Sequence, residues 1–303
     1  MSTSTLACEQ TLDRRARPLA LERALDYLEL TKPKIAVLEL LTVLAAGSMA
    51  HTSRLDLFVL LHAMIGTALV AASASALNQL IERRLDARMP RTADRPLAAG
   101  RLNPVEVAWL AGVLGVAGVV YLAVTVNAVT AGLGLASWVL YVCIYTPLKP
   151  RTTLNTVVGA VAGGLPILMG WSAVDGRFGL AALALFLIVF LWQFPHFMAI
   201  AWLYRDDYRA AGMKMLPVVD PSGQLAGVQA VCSAMLLIPV SLLPGVANFA
   251  GTTYFATALV LGLGQLACAI AFYRQPGEAS ARLLLRASLV YLPVMLLVIM
   301  FGF

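Results

Sequence analysis

The chain has 303 residues, 60% of them hydrophobic and 13% charged, with a mean hydropathy of +0.82 and a formal net charge of +6. Soluble domains carry about 25% charged and 45–50% apolar residues, so this chain cannot hide its apolar side chains in one globule, and water is not its main solvent. Cys8, Cys143, Cys232 and Cys268 stand far apart, which excludes a disulfide scaffold and offers no spacing for zinc or an iron–sulfur cluster.

Apolar stretches long enough to cross a bilayer, about 20 residues each, predict nine helices. In chain order they cover roughly 34–52, 56–80, 104–125, 128–146, 154–173, 178–203, 225–246, 252–273 and 282–302. Only the Val126-Asn127 corner separates the third from the fourth. Before the first span, Leu19, Leu21, Leu25, Leu28 and Leu30 predict an amphipathic helix over 18–30, lying on the membrane surface. The fold class expected is an all-α polytopic membrane protein, with an N-terminal segment at 1–30 and a transmembrane domain at 31–303.

Charge orients this array. Residues 1–35 and the 81–103 connection each hold six Lys or Arg, and the connections after spans four, six and eight bring one face to 20 of the 22. Arg54 and Arg177 alone fall on the other face. The positive-inside rule places the crowded face in the cytoplasm, so the N-terminus is expected inside and the C-terminus outside. Charge placed in this way serves a membrane surface and gives no reason to expect nucleic acid. The N-terminus has no secretory h-region, and its acids do not suit a mitochondrial presequence. A bacterial cytoplasmic membrane is the expected location.

Two cytoplasmic connections mix acids with bases. In the first, Asn78, Glu82 and Asp86 are spaced i, i+4 and i+8, which on a helix gives one stripe of oxygens drifting only about 40° per step. Mg²⁺ is commonly held by one or two carboxylates together with substrate phosphates, and Arg83, Arg91 and Arg95 supply forked donors for phosphate oxygens. The bland alternative is a solvated loop serving topology. In the second connection Arg205, Asp206, Asp207, Arg209 and Lys214 meet at the end of span six, where ordinary helix-end pairing competes with a functional role. Together the clusters suit a diphosphate held between Mg²⁺ and basic groups at the mouth of an apolar cavity, as an isoprenyl diphosphate would require. No Ser/His/Asp or Cys/His arrangement suggests a protein nucleophile.

Asn78–Gly100, reading NQLIERRLDARMPRTADRPLAAG, resembles the first signature of the UbiA-type intramembrane prenyltransferases. The DARMPRTADRPL stretch is similar to the branch of that family that acts on heme b. So are Thr31–Lys34, Tyr145–Lys149, Trp192–Phe197, Asp207-Tyr208 and Met215–Pro217, and the likeness runs in order over about residues 28–300. Two departures stand out: Glu82 replaces the usual aspartate, and Asp206 and Asp207 are adjacent where the family often spaces its second pair.

The resemblance implies nine helices around a central cavity open to the cytoplasmic side. It also implies farnesyl transfer from farnesyl diphosphate to the 2-vinyl group of heme b with addition of water, Mg²⁺ as cofactor, the bilayer as surroundings and heme A synthase as a partner taking the product. On this basis Asn78, Glu82, Asp86, Lys149 and Asp207 are the expected catalytic residues. Asn78, Glu82, Asp86, Asp206 and Asp207 are expected at the metal, and Arg83, Arg91, Arg95, Lys149 and Arg205 at the diphosphate. His196 is expected at the heme, and Lys34 is a lesser diphosphate candidate. Glu39 suits either the cavity or the inner surface, whereas His51 and His62 suit packing or the outer interface. Tyr141, Tyr145, Trp192 and Trp202 suit either a pocket wall or an interfacial belt. Competing readings are a UbiA-type enzyme with another aromatic or quinone-precursor acceptor, and a non-catalytic heme-binding or transport protein. A transporter would place acids at mid-membrane, whereas most acids here gather at one face.

Overall fold

The computed structural model describes residues 19–50, 56–247 and 251–301. Its helices are α1 (Leu19–Leu30), α2 (Pro33–Ala50), α3 (Leu57–Asp86), α4 (Pro104–Thr125), α5 (Ala128–Leu148), α6 (Asn155–Val174), α7 (Leu180–Leu203), α8 (Arg205–Ala210), α9 (Leu216–Val219), α10 (Gln224–Ala247), α11 (Thr252–Arg274) and α12 (Glu278–Phe301). Among the described residues no strand occurs, and nine helices are long and apolar enough to cross a membrane. Each corresponds to a span read from the sequence.

Local chemistry sets the boundaries. Asp56 caps α3 by accepting from the backbone N–H groups of Phe58 at 3.0 Å and Val59 at 3.2 Å. Asn103 caps α4, with Pro104 in its first turn where no N–H is needed. Asn127 makes the tight corner before α5 by accepting from Thr130 N–H at 2.8 Å. The largest difference from the expected boundaries is at the end of α3. The helix runs on from about residue 80 to Asp86 because Gln79, Glu82 and Asp86 point inward and are buried.

The spans pack through small residues, which let backbones approach when lipid offers no hydrophobic drive. Gly170 of α6 lies against the backbone of Val43 on α2, leaving no room for a Cβ. Gly118 of α4 packs in the same way on Val70 of α3, where a Cβ would come within 2.9 Å of the backbone nitrogen. Helices α6 and α7 are the most buried spans and form the centre of the bundle. Helix α1 is tied to the α3–α4 side by Arg101–Asp26 at 3.0 Å and by Arg23 and Tyr27 on Glu106. Leu19, Leu21, Leu25 and Leu28 are left exposed, the amphipathic face expected for an interfacial helix, whereas Leu30, expected on the same face, is buried in a cluster with Leu97 and Val107.

Candidate active site

A cavity of about 310 Å³ opens between α2, α3, α5, α6 and α7, within the usual range for small-molecule sites of about 300–1,000 Å³. Asn78, Glu82 and Asp86 line one wall as the stripe their spacing predicts, and each is no more than 3% exposed. Carboxylates this buried require partners. Lys149 Nζ lies 2.8 Å from Glu82 Oε1 and donates to Oε2 at 3.0 Å. Arg95 Nη1 donates to both oxygens of Asp86, at 2.9 and 2.8 Å. Lys32 Nζ donates to Asn78 Oδ1 at 2.7 Å. Every oxygen-bearing side chain of the stripe therefore has its own basic partner.

Those partners come from separate parts of the chain. Lys32 stands between α1 and α2 at φ 49°, a left-handed conformation uncommon outside glycine and of a kind that clusters at functional sites. Lys149 follows a π-turn at Leu140–Tyr145, an irregularity frequent at such sites. There Thr146 Oγ1 donates to Tyr141 O at 2.8 Å and accepts from Asn78 Nδ2 at 3.1 Å, tying α5 to the stripe. Arg95 is carried back by the compact turns after α3, which Thr92 secures by donating to Asp86 O at 2.9 Å.

The electrostatics follow from burial. Removal from water, helped by the charges of Arg95 and Lys149, pushes the Lys32 amine down to about 7. Burial acts against the Lys149 ammonium too, but Glu82, Tyr145 and Tyr141 together outweigh it and leave this group above the ordinary lysine range. Arg91 lines the cavity at its mouth, 4.7 Å over the Tyr204 ring, and donates to Tyr208 Oη at 3.3 Å. The far end is apolar and is closed by Val70, Trp138 and Met169, packed in one cluster.

The expected site residues thus divide. Asn78, Glu82, Asp86, Arg91, Arg95 and Lys149 meet in the cavity wall, joined by Glu39, Tyr141 and Tyr145. Arg83 folds back to donate to Leu80 O at 2.7 Å, and Arg205 donates to Trp202 O at 2.9 Å while lying over the Trp202 ring. Asp206 is exposed and pairs with Arg209 at 2.9 Å. Asp207 is half-buried on α8, next to the cavity-lining Tyr208, and forms no side-chain hydrogen bond or ion pair among the described residues. His196 faces α12, with Nδ1 2.9 Å from Ser288 Oγ and its ring stacked on Trp192, outside the cavity wall. Trp192 and Trp202 also lie outside that wall, and His62 bonds to Tyr121 at 2.6 Å. His51 falls outside the described residues.

The sequence reading passed over Lys32, Tyr208 and Gln193 as site residues, and its lesser diphosphate candidate Lys34 is exposed. Lys32 carried one signal, its place beside a proline at a helix entrance. Among the described residues no group of three or more His, Cys, Asp or Glu could hold a metal unaided. Two carboxylates and an amide oxygen in a row nevertheless fit Mg²⁺ that also takes oxygens from a bound phosphate.

A buried, charged mouth over an apolar cavity, set in a bundle of membrane-length helices, has the form of a membrane-embedded active site. The model of the UbiA prenyltransferase family matches residues 40–292, and the chain belongs to this family: it is a multi-pass membrane enzyme that transfers prenyl groups. It is similar to protoheme IX farnesyltransferase of Koribacter versatilis, with 41% identity over 91% of this chain and 92% of that protein. The Anaeromyxobacter protein of the same name is 39% identical over 96% and 98% of the two chains. Among solved structures, a digeranylgeranylglyceryl phosphate synthase superposes with a TM-score of 0.78 at 17% identity, covering 93% of this chain and 98% of that one. A UbiA homologue from Archaeoglobus fulgidus, bound to GPP and Mg²⁺, gives 0.67 at 16% identity over 91% and 99%.

Proposed function

We propose that the protein transfers the farnesyl group of farnesyl diphosphate to the 2-vinyl group of heme b, with water completing a hydroxyethylfarnesyl side chain. The observation that carries this reading is the stripe of Asn78, Glu82 and Asp86, with its basic partners, at the mouth of an apolar cavity. The shared name of the curated relatives supplies the acceptor. Depth supports the donor. From Asn78 to Thr67, both on α3 and both lining the cavity, eleven residues rise about 16 Å. An isoprene unit of four bonds spans roughly 5 Å by the bond lengths that give a three-bond residue about 3.5 Å, so a chain of three units fills that depth.

In this mechanism Lys149, Arg95 and Arg91 hold the diphosphate oxygens, and Lys32 approaches from the opposite wall. Glu82, Asp86 and Asn78 would hold Mg²⁺, which when bound supplies positive charge against the departing diphosphate. Asp207 is the acid of the second cluster with a free carboxylate, and is assigned a secondary role at the rim. As the allylic C–O bond breaks, the lysines and arginines stabilise charge growing on the leaving group. The apolar wall keeps bulk water from the allylic carbon. His196 stands one turn from the cavity-lining Gln193 on α7 and is retained as the proposed heme contact. The charged face is assigned to the cytoplasm of a bacterial inner membrane, with the C-terminus outside, and heme A synthase is the proposed recipient of the product.

Mass spectrometry of hemes extracted from membranes with and without this protein tests the reading. Heme b gaining a hydroxyethylfarnesyl group only when the protein is present is the expected result. Unmodified heme b, with farnesyl appearing on a quinone precursor, would replace it with the rival acceptor.

A further inference from the structure

We infer that Gln193 orients the water that hydroxylates the product; the inference rests on the heme-farnesylation reading above. Gln193 is 5% exposed in the middle of α7 and lines the cavity. Its amide nitrogen donates to Ala160 O of α6 at 2.9 Å and to Val189 O at 3.2 Å. Turning the amide over would set its oxygen against two carbonyl oxygens, so the network fixes which end is which. Oε1 makes no hydrogen bond among the described residues, and the space a Cβ would need on the cavity-lining Gly163 is taken by this oxygen. The fold therefore presents a rigid acceptor, with both amide protons engaged elsewhere, to a largely apolar chamber.

Its depth matches the chemistry. Asn78 bonds to Thr146, and the neighbouring Tyr145 ring packs on Gly159 of α6. Gly163 lies one turn deeper, about 6 Å further along the same helix. Gln193 thus sits just beyond the diphosphate end, where the first farnesyl carbon and the vinyl group must meet. Ser137 and Tyr141 also line the cavity, but the Ser137 hydroxyl already donates to Ala162 O at 3.0 Å, and the Tyr141 hydroxyl rotates and donates as well as accepts.

The step balances as follows. The vinyl π electrons form the bond to the first farnesyl carbon while the C–O bond breaks and its electron pair leaves with diphosphate. The inner vinyl carbon, now a cation beside the porphyrin, takes a lone pair from a water whose O–H donates to Gln193 Oε1. That water loses a proton to the released diphosphate and remains as the hydroxyl. Without an oriented water, the same cation sheds a proton from the adjacent carbon and leaves an alkene lighter by one water.

The test uses the full-length protein in bilayers with heme b, farnesyl diphosphate and Mg²⁺, and reads products by mass. Gln193→Met keeps the bulk but removes the acceptor, and should raise the alkene-to-hydroxyl ratio at least about tenfold, the loss of one well-made hydrogen bond. Gly163→Ala displaces the oxygen while leaving Gln193 in place, should shift the ratio the same way, and decides the matter if Gln193→Met does not purify. A ratio unchanged from the parent in the deciding variant overturns the assignment, whatever its overall rate. Absence of any farnesylated heme from the parent protein would overturn the reading on which it rests.

Discussion

Acids and arginines meet at two helix ends on the charge-rich face of this chain, and the fold treats the two places differently. At the end of α3 the acids sit one turn apart, face inward and are buried, Glu82 paired with Lys149 from beyond α5 and Asp86 with Arg95 from the turns that follow α3. On α8 they are adjacent, so their side chains diverge around the helix. Asp206 turns outward to pair with Arg209 three residues on, and Asp207 is left half-buried. Similar residue types therefore build a concentrated electrostatic site in one place and ordinary helix-end pairing in the other. Spacing, and partners brought in from outside the helix, make the difference.

Substitutions can break that contrast. The largest effect is expected from Lys149→Met, which leaves Glu82 buried without its ammonium partner. Removing one member of such a pair costs about 3–5 kcal/mol, seen as a lowered unfolding temperature in detergent, and adding Glu82→Gln should restore most of the loss. Asp86→Asn keeps size and one acceptor but removes the charge. The folded variant should turn over about 100- to 1000-fold more slowly, the range for loss of a charge-stabilising contact worth about 2.7–4 kcal/mol.

Asn78→Ala removes a neutral acceptor bonded to Lys32 and a donor to Thr146. One to two hydrogen bonds correspond to roughly a tenfold drop in turnover, measured at saturating substrate. Asp206→Asn should do least. Its exposed pair with Arg209 is worth about 0–1 kcal/mol, so activity and unfolding temperature should stay near the parent values. A loss at Asp206 matching that at Asp86 would erase the distinction between the two clusters.

Much of this was legible in the sequence, because lipid imposes length and apolarity on each span and the i, i+4, i+8 spacing survives in any straight helix. Which bases would meet the stripe was not. Lys32 and Lys34 are alike on paper, but a left-handed turn at residue 32 sends one inward and leaves the other exposed. Arg83 and Arg95 are equally plausible donors until the turns after α3 carry the second back to Asp86. The π-turn in α5 leaves no mark in the hydrophobic pattern, yet it precedes Lys149 and brings Thr146 to Asn78. His196, read as a heme contact from its motif and depth, meets Ser288 from almost a hundred residues away, a partner no local pattern announces.

The most direct test of the central claim is a structure of the protein with Mg²⁺ and a non-cleavable farnesyl thiodiphosphate. The account predicts metal within about 2.1 Å of Glu82 or Asp86 oxygens, Lys149 and Arg95 turned from those carboxylates toward the diphosphate, and the farnesyl chain running down toward Met169. Metal held only at Asp206 and Asp207, with Asp86 still paired to Arg95, would contradict it.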